Sequence, residues 1–374
     1  MADAVSQRSI GFRVRAAREA KGWTQDQLAE LLRLENRQSV SDLEKGKRSI
    51  KPDELVVLSD ALERDLDYFL EPFSVAGEAQ FSWRVSPKVP ENALGEFEDR
   101  SSGLVGLLRW LREQQVSNTS ALKRNLRLSQ QSTFEMAQAR AERLGVELVL
   151  GRIPAQTLLE KVEKQLDIPV LMVDPDALNI DSISGATCHL EEMSCILINR
   201  RESEARRAYD LAHELFHALT WEAMPPERRE TNLTEKSATS TRKRIEQLAD
   251  NFAAALLMPS SSLNEFIKPG QSSSVPHLRE VAARLGVSNQ ALAWRLHALG
   301  RIEEDTCGQL LRARQSIPPL SLPKLYSADF VRMLHEAIEK GRVSARKVVK
   351  ALRLSLDQLT KIFLQYGLAA PFEL

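Results

Sequence analysis

The sequence predicts a mainly α-helical chain with one small β-sheet, and three observations predict it. Apolar residues recur at helical spacing through both ends of the chain, β-rich runs are short and confined to residues 168–199, and proline-containing stretches near 72–90 and 318–323 divide the whole. A length of 374 residues fits two or three domains. The expected division is a five-helix module over 1–72, a linker over 73–96, an α+β domain with preceding helices over 97–270, a helical subdomain over 271–312 and a helical C-terminal element over 313–374.

Composition limits what the chain can be. Its formal net charge is zero, so any contact with nucleic acid must be argued from a local patch. It has no run of eighteen apolar residues and no signal-peptide pattern at Met1, from which a soluble cytoplasmic protein without membrane contact is expected. The three cysteines, Cys188, Cys195 and Cys307, are too few and too scattered for a disulfide framework, and read as core or strand residues.

The first module supplies such a patch. Helices are expected over Gly11 to Lys21, over Gln25 to Leu32 behind a Thr24 cap, and over Ser39 to Lys45, closed by Gly46. These are the proportions of a helix-turn-helix, with the third helix in the major groove. Gln25, Gln38, Ser39 and Ser41 are the polar candidates for base edges, and Arg37, Lys45, Lys47 and Arg48 for phosphates. Residues 8–52 hold eleven Lys and Arg against six Asp and Glu, whereas 53–72 hold one against seven, so the basic part is the part that would face DNA. The strings Arg15-Ala16-Ala17-Arg18-Glu19-Ala20-Lys21-Gly22-Trp23-Thr24-Gln25-Asp26-Gln27-Leu28-Ala29 and Val40-Ser41-Asp42-Leu43-Glu44-Lys45-Gly46 resemble the Cro/C1, or XRE-type, helix-turn-helix family. That resemblance implies an operator as ligand and a homodimer as the binding form.

Residues 73–96 read as a linker or an extended strand, and 97–146 as two helices broken near Ser117 to Ser120, the second ending at Gly145. The period then changes. Ile168 to Val173 and Cys195 to Ile198 are β-rich runs, with turns at Asp174-Pro175 and Glu191-Glu192 and a hairpin near Gly185 to Asn199. The small sheet is expected beside the following helix, either with an edge strand open to a substrate backbone or as a purely structural sheet.

Residues 203–222 carry the chemistry. They read as one amphipathic helix, capped by Ser203, that bears His213-Glu214-Leu215-Phe216-His217. Residues four apart share a helix face, so both imidazoles can converge on one metal while Glu214 sits beside it as the base. A second helix is expected to open at Glu246 and stop at Pro259, and Glu246 can supply a third ligand. Two His and one Glu leave the fourth position of a tetrahedral zinc ion for water, the mark of a catalytic site. Asp250, one turn on, can take the second N–H of a ligand imidazole. Zinc suits these donors, and manganese accepts the same set. Tyr209 and His189 are nearby candidates for a second electrophile, more simply read as packing or surface residues.

Residues 276–303 repeat helix-turn-helix spacing around Gly286, most simply as a structural cap. Residues 304–322 read as a second linker, and Ser327 to Gly367 as two or three amphipathic helices used for packing or oligomerisation.

Taken together, Ile183-Ser184-Gly185, Ile196-x-Ile198-Asn199, Leu211-Ala212-His213-Glu214-x-x-His217, Glu246-x-x-x-Asp250 and Phe252-Ala253-Ala254-x-Leu256-Leu257-Met258-Pro259 resemble the ImmA/IrrE metallopeptidase family over residues 135–303. The resemblance implies a zincin-like α+β domain, a gluzincin-type zinc endopeptidase, metal ligands at His213, His217 and Glu246, and a catalytic base at Glu214. It also implies an XRE-type repressor as substrate, either a separate protein or this chain itself, in the switching of stress or mobile-element genes. Phe216 stands where the family has Gly, and Ala208-Tyr209-Asp210 where it has Arg-Phe-Thr. The alternative expectation is a transcriptional repressor or antitoxin whose peptidase-like domain senses a ligand or partner and cuts nothing.

Overall fold

The computed structural model describes residues 6–115, 125–175, 183–230, 240–314 and 322–373, and the chain is mainly helical around one mixed sheet of five strands. The first five helices are α1 (Gln7–Ala20), α2 (Gln25–Leu31), α3 (Arg37–Glu44), α4 (Pro52–Leu62) and α5 (Leu66–Leu70). They enclose their own core, built on Val14, Leu28, Val40, Leu43, Leu58 and Phe69. N-cap side chains fix four of the five starts: Ser6, Thr24, Asn36 and Asp65 cap α1, α2, α3 and α5, and Thr24 with Gln27 closes a capping box. Asn36 is the reason α3 begins at Arg37, two residues before the expected Ser39. Gly11 lets α1 press against α3, since a Cβ there would lie 2.4 Å from the Leu43 carbonyl oxygen.

Beyond them come β1 (Gln80–Val85), α6 (Glu91–Glu113), α7 (Phe134–Glu147), α8 (Pro154–Leu166), β2 (Val170–Val173), β3 (Ile183–His189), β4 (Ser194–Asn199), α9 (Glu204–Thr220), β5 (Arg229–Glu230) and α10 (Ser240–Leu257). The chain continues as α11 (Ser260–Phe266), α12 (Val275–Leu285), α13 (Asn289–Ala298), α14 (Glu304–Arg312), α15 (Ala328–Glu339), α16 (Ala345–Leu352) and α17 (Leu356–Gln365). Of the two readings of 73–96, the extended strand is present as β1, followed by the start of a long helix. Two expectations change: α10 begins at Ser240, ahead of Glu246, and residues 304–312, expected as linker, form α14 against α12 and α13. Amphipathic spacing accounts for α14, whose Thr306, Cys307 and Leu310 face the core. The predicted break at Ser117 to Ser120 lies outside the described residues.

Strand order is β2-β4-β3-β1-β5. β3 and β4 form the expected antiparallel hairpin, β2 runs parallel to β4, β1 lies antiparallel on β3, and β5 adds two residues parallel to β1. Alternation along the strands divides two cores. Val170, Met172, Ile196 and Ile198 join the core that contains α7–α14, whereas Phe81, Trp83, Val85, Leu171, Ala186, Cys188 and Leu197 face α6 and α15–α17. The last three helices therefore cover the far face of the sheet. β1 pairs along β3, so that side of the hairpin is not an open edge for a substrate backbone, and of the two readings of the sheet the structural one describes it.

Candidate metal centre and DNA-reading face

Helix α9 lies beneath β3 and β4 with Leu211, Ala212, Leu215, Phe216 and Leu219 buried, so the opposite positions of its third and fourth turns meet the sheet. Small residues on α10 allow close packing of the two helices: Ala249 and Ala253 are fully buried, and the Phe252 ring lies 5.6 Å from that of Phe216. Phe216 also turns an edge toward His217 at 5.5 Å. The residue that departs from the family pattern thus fills the interior beside the second imidazole.

This packing brings together what the sequence proposed. His213 Nε2 and His217 Nε2 are 3.1 Å apart, and Glu246 presents its oxygens 3.3 Å from His213 Nε2 and 3.9 Å from His217 Nε2. Asp250 Oδ1 lies 3.0 Å from His213 Nδ1 and fixes that ring by its far nitrogen. Thr187 Oγ1 lies 2.8 Å from Glu214 Oε2, leaving Glu214 Oε1 buried with no hydrogen-bond partner. Gly185 borders the same carboxylate side chain, since a Cβ there would come 3.6 Å from Glu214 Cγ. Tyr209 does not reach the reacting position: its hydroxyl lies 3.2 Å from Asp250 Oδ1. His189 stacks on Trp221 at 5.1 Å between ring centroids.

Sequence reasoning missed Glu230. It enters from β5 with Oε2 3.3 Å from His213 Nε2 and Oε1 3.6 Å from His217 Nε2. His213, His217, Glu230 and Glu246 are all buried, and one donor atom from each lies within 4.8 Å of the others. Nothing local marks Glu230, one of several glutamates in a polar run; only its pairing with β1 aims it inward. Arg84 was missed for the same reason. From β1 its guanidinium lies 3.6 Å from Asp210 and 3.7 Å from Asp250, and over the Tyr209 ring at 5.7 Å.

The electrostatics call for positive charge. Burial alone would raise the Glu230 carboxyl, but the His217 and His213 imidazoles and Arg84 outweigh it and hold it well below the usual carboxylate range. Burial and Arg84 oppose a proton on His213, yet its bonds to Asp250, Glu230 and Glu246 raise its pKa well above the ordinary value. His217, with burial dominant, is lowered. Glu214 is pushed well up, first by burial and then by the neighbouring Glu230. Two imidazoles and two carboxylates, with the buried Glu230 Oε2 lacking a hydrogen bond, make a donor set that fits a divalent ion such as zinc.

The DNA-reading candidates sit on or beside α3. Arg37, Gln38, Lys45 and Lys47 are exposed, and Ser39 and Ser41 half-buried. Five of these side chains are already engaged: Gln38 Nε2 donates to Asp42 Oδ1 at 3.0 Å and Ser39 Oγ to Asn36 Oδ1 at 3.3 Å, and the other three hold neighbouring elements. Gln25 Nε2 donates to Glu44 at 2.7 Å and its Oε1 accepts from Arg37 at 3.1 Å, while Arg48 pairs with Glu54 at 3.0 Å. Arg48 and Gln25 therefore brace the helices at the same time as they line the face. A buried pair between Arg18 and Glu44 at 2.6 Å fastens α3 to α1.

Residues 14–69 match the helix-turn-helix family model, and residues 163–297 match the model described as the IrrE N-terminal-like domain. No curated protein matches the chain. Among solved structures, Bacillus thuringiensis PlcR in complex with the peptide PapR7 and DNA is 14% identical, over 90% of this chain and 99% of that one, with a TM-score of 0.17. The apo form of the competence regulator ComR from Streptococcus vestibularis is 11% identical, over 97% and 99% of the two chains, also at 0.17. Scores this low carry no argument about this molecule.

Proposed function

From a chain that joins an XRE-type helix-turn-helix domain to an ImmA/IrrE-like, metallopeptidase-like domain, we infer a DNA-binding transcriptional regulator with a zinc-dependent endopeptidase centre. Its protein substrate is a repressor of the XRE type, in trans or as this chain itself, and it binds its operator as a homodimer. The observation that carries this reading is Glu214, a buried carboxylate with one oxygen free, next to a cluster of metal-ligand type.

His213, His217 and Glu246 would hold a divalent ion, which when bound would supply a Lewis acid for the scissile carbonyl and lower the pKa of a water toward neutrality. The remaining work belongs to the chain. Glu214 accepts the proton, and its Oε1, without a hydrogen-bond partner, is the atom to hold it before passing it to the leaving amine. Thr187 orients the other oxygen. Asp250 holds the His213 tautomer, and Tyr209 and Arg84 in turn hold Asp250.

A second reading has support from one specific observation: Glu230 occupies the neighbourhood where water is needed, as in a centre that senses and does not cut. Incubating the zinc-loaded full chain, alone and with an XRE-type repressor, against its Glu214→Gln variant decides between them. Fragments from the parent and none from the variant support the endopeptidase; no fragments from either under any condition leave the non-proteolytic regulator.

A further inference from the structure

Glu230 has no counterpart in a centre of two histidines and one glutamate. Both of its oxygens approach the imidazole nitrogens at least as closely as Glu246 does, at 3.3 and 3.6 Å against 3.3 and 3.9 Å. A tetrahedral ion with a second carboxylate has no position left for water.

The carboxylate is held there from one side. Ser82 Oγ of β1 lies 2.9 Å from Glu230 Oε1 and 2.8 Å from the Glu227 carbonyl oxygen, and the Trp83 backbone N–H donates to the Arg228 carbonyl oxygen at 2.8 Å. Arg229 bonds back to the Val89 carbonyl oxygen, and Arg228 pairs with Glu91 and with Glu98, the latter at 3.0 Å. β1 is itself laid antiparallel along β3, from Gln80 opposite His189 to Arg84 opposite Gly185. It therefore takes the backbone groups an extended peptide would use, while its inward residues Ser82 and Arg84 meet Glu230, Asp210 and Asp250. Its outward residues Phe81, Trp83 and Val85 are buried in the opposite core.

We propose that β1 and β5 form an internal cover of the metal centre, with Glu230 as fourth protein ligand. This rests on the reading of the centre as a divalent-metal site. The covered form admits neither water nor a peptide to the ion, and exposing the ion requires the Glu230 carboxylate to withdraw. β1 starts three residues after Gly77, where a Cβ would meet the Phe12 carbonyl oxygen of α1 at 2.4 Å, so the segment leading into the cover is packed on the helix-turn-helix module.

The full chain loaded with cobalt(II), and titrated with azide as a small anionic probe, tests the cover through its visible absorption. The parent spectrum is expected to ignore azide, and Glu230→Ala to bind it and to hold the metal at least about 10-fold more weakly in chelator competition. Ser82→Ala, which removes the bonds to Glu230 and to the Glu227 carbonyl oxygen and leaves all four donors in the chain, is expected to retain metal and acquire partial azide sensitivity; it also serves if Glu230→Ala fails to fold. A parent spectrum that responds to azide, or a folded Glu230→Ala with the parent spectrum, overturns the proposal. Azide binding without peptide cleavage by Glu230→Ala upholds the cover and counts against the endopeptidase.

Discussion

The two functional regions present their polar groups in opposite ways. On α3 the side chains offered to DNA stand at the surface, and the helix is fixed from behind by Leu43, Val40 and the buried Arg18–Glu44 pair. At the candidate metal centre His213, His217, Glu230 and Glu246 are all buried, and side chains from other elements brace part of the cluster and its neighbouring acid: Asp250 holds His213, Ser82 holds Glu230 and Thr187 holds Glu214. A surface that reads a charged polymer can leave its side chains solvated until contact, because the ligand brings its own field. A centre that concentrates charge in a low-dielectric interior cannot, since an unbraced buried carboxylate would protonate or move.

The contrast predicts separable losses, the largest at the centre. His217→Ala is expected to weaken zinc binding by well over about 100-fold, beyond the cost typical of losing an orienting partner, and to leave operator binding unchanged. Competition with a chromophoric chelator and a gel-shift assay measure the two, and coupled loss would break the comparison. In the other direction Leu28→Ala, at a fully buried position in the N-terminal core, should cost about 2–5 kcal/mol and abolish operator binding. Zinc stoichiometry should survive it. Asp250→Asn sharpens the view of the centre as braced: zinc affinity should fall about 10- to 100-fold with the fold intact by circular dichroism. Lys45→Ala, at the exposed surface, should weaken operator binding a few-fold for all sequences and reduce the salt slope by about 1.

The smallest effect lies away from both sites. Burial pushes the Glu163 carboxyl up to about 6, against a bond from the Val170 backbone N–H at 3.4 Å that lowers it. A carboxyl raised on folding contributes its stability below its unfolded value of 4.5 and loses it as pH rises through about 6. Glu163→Gln should therefore melt higher than the parent above pH 7, on the order of 2 °C, and equal to it below pH 4. A constant difference across that range would assign the effect to packing.

Where local order suffices, the sequence could be read directly. The N-terminal helices follow from caps and apolar spacing within a few residues, and His213, Glu214 and His217 lie on a single helix whose period puts them together. Glu246 was readable because α10 has its own helical pattern, though the first turn at Ser240 was not, since polar residues there carry no periodic signal. Residues 80–85 alternate Phe, Trp and Val with polar residues, a pattern consistent with a strand but silent about its partner.

Sequence by itself thus determined the elements, the helix-turn-helix order and the paired imidazoles with their adjacent acid, because each depends on spacing along one helix. Tertiary structure alone decided that β1 closes the edge of β3, that Arg84 is drawn between Asp210 and Asp250, and that Glu230 faces the imidazoles. Strand pairing between residues 146 apart in the chain obeys backbone hydrogen bonding and the burial of Trp83, and neither leaves a mark in the residues that it brings together.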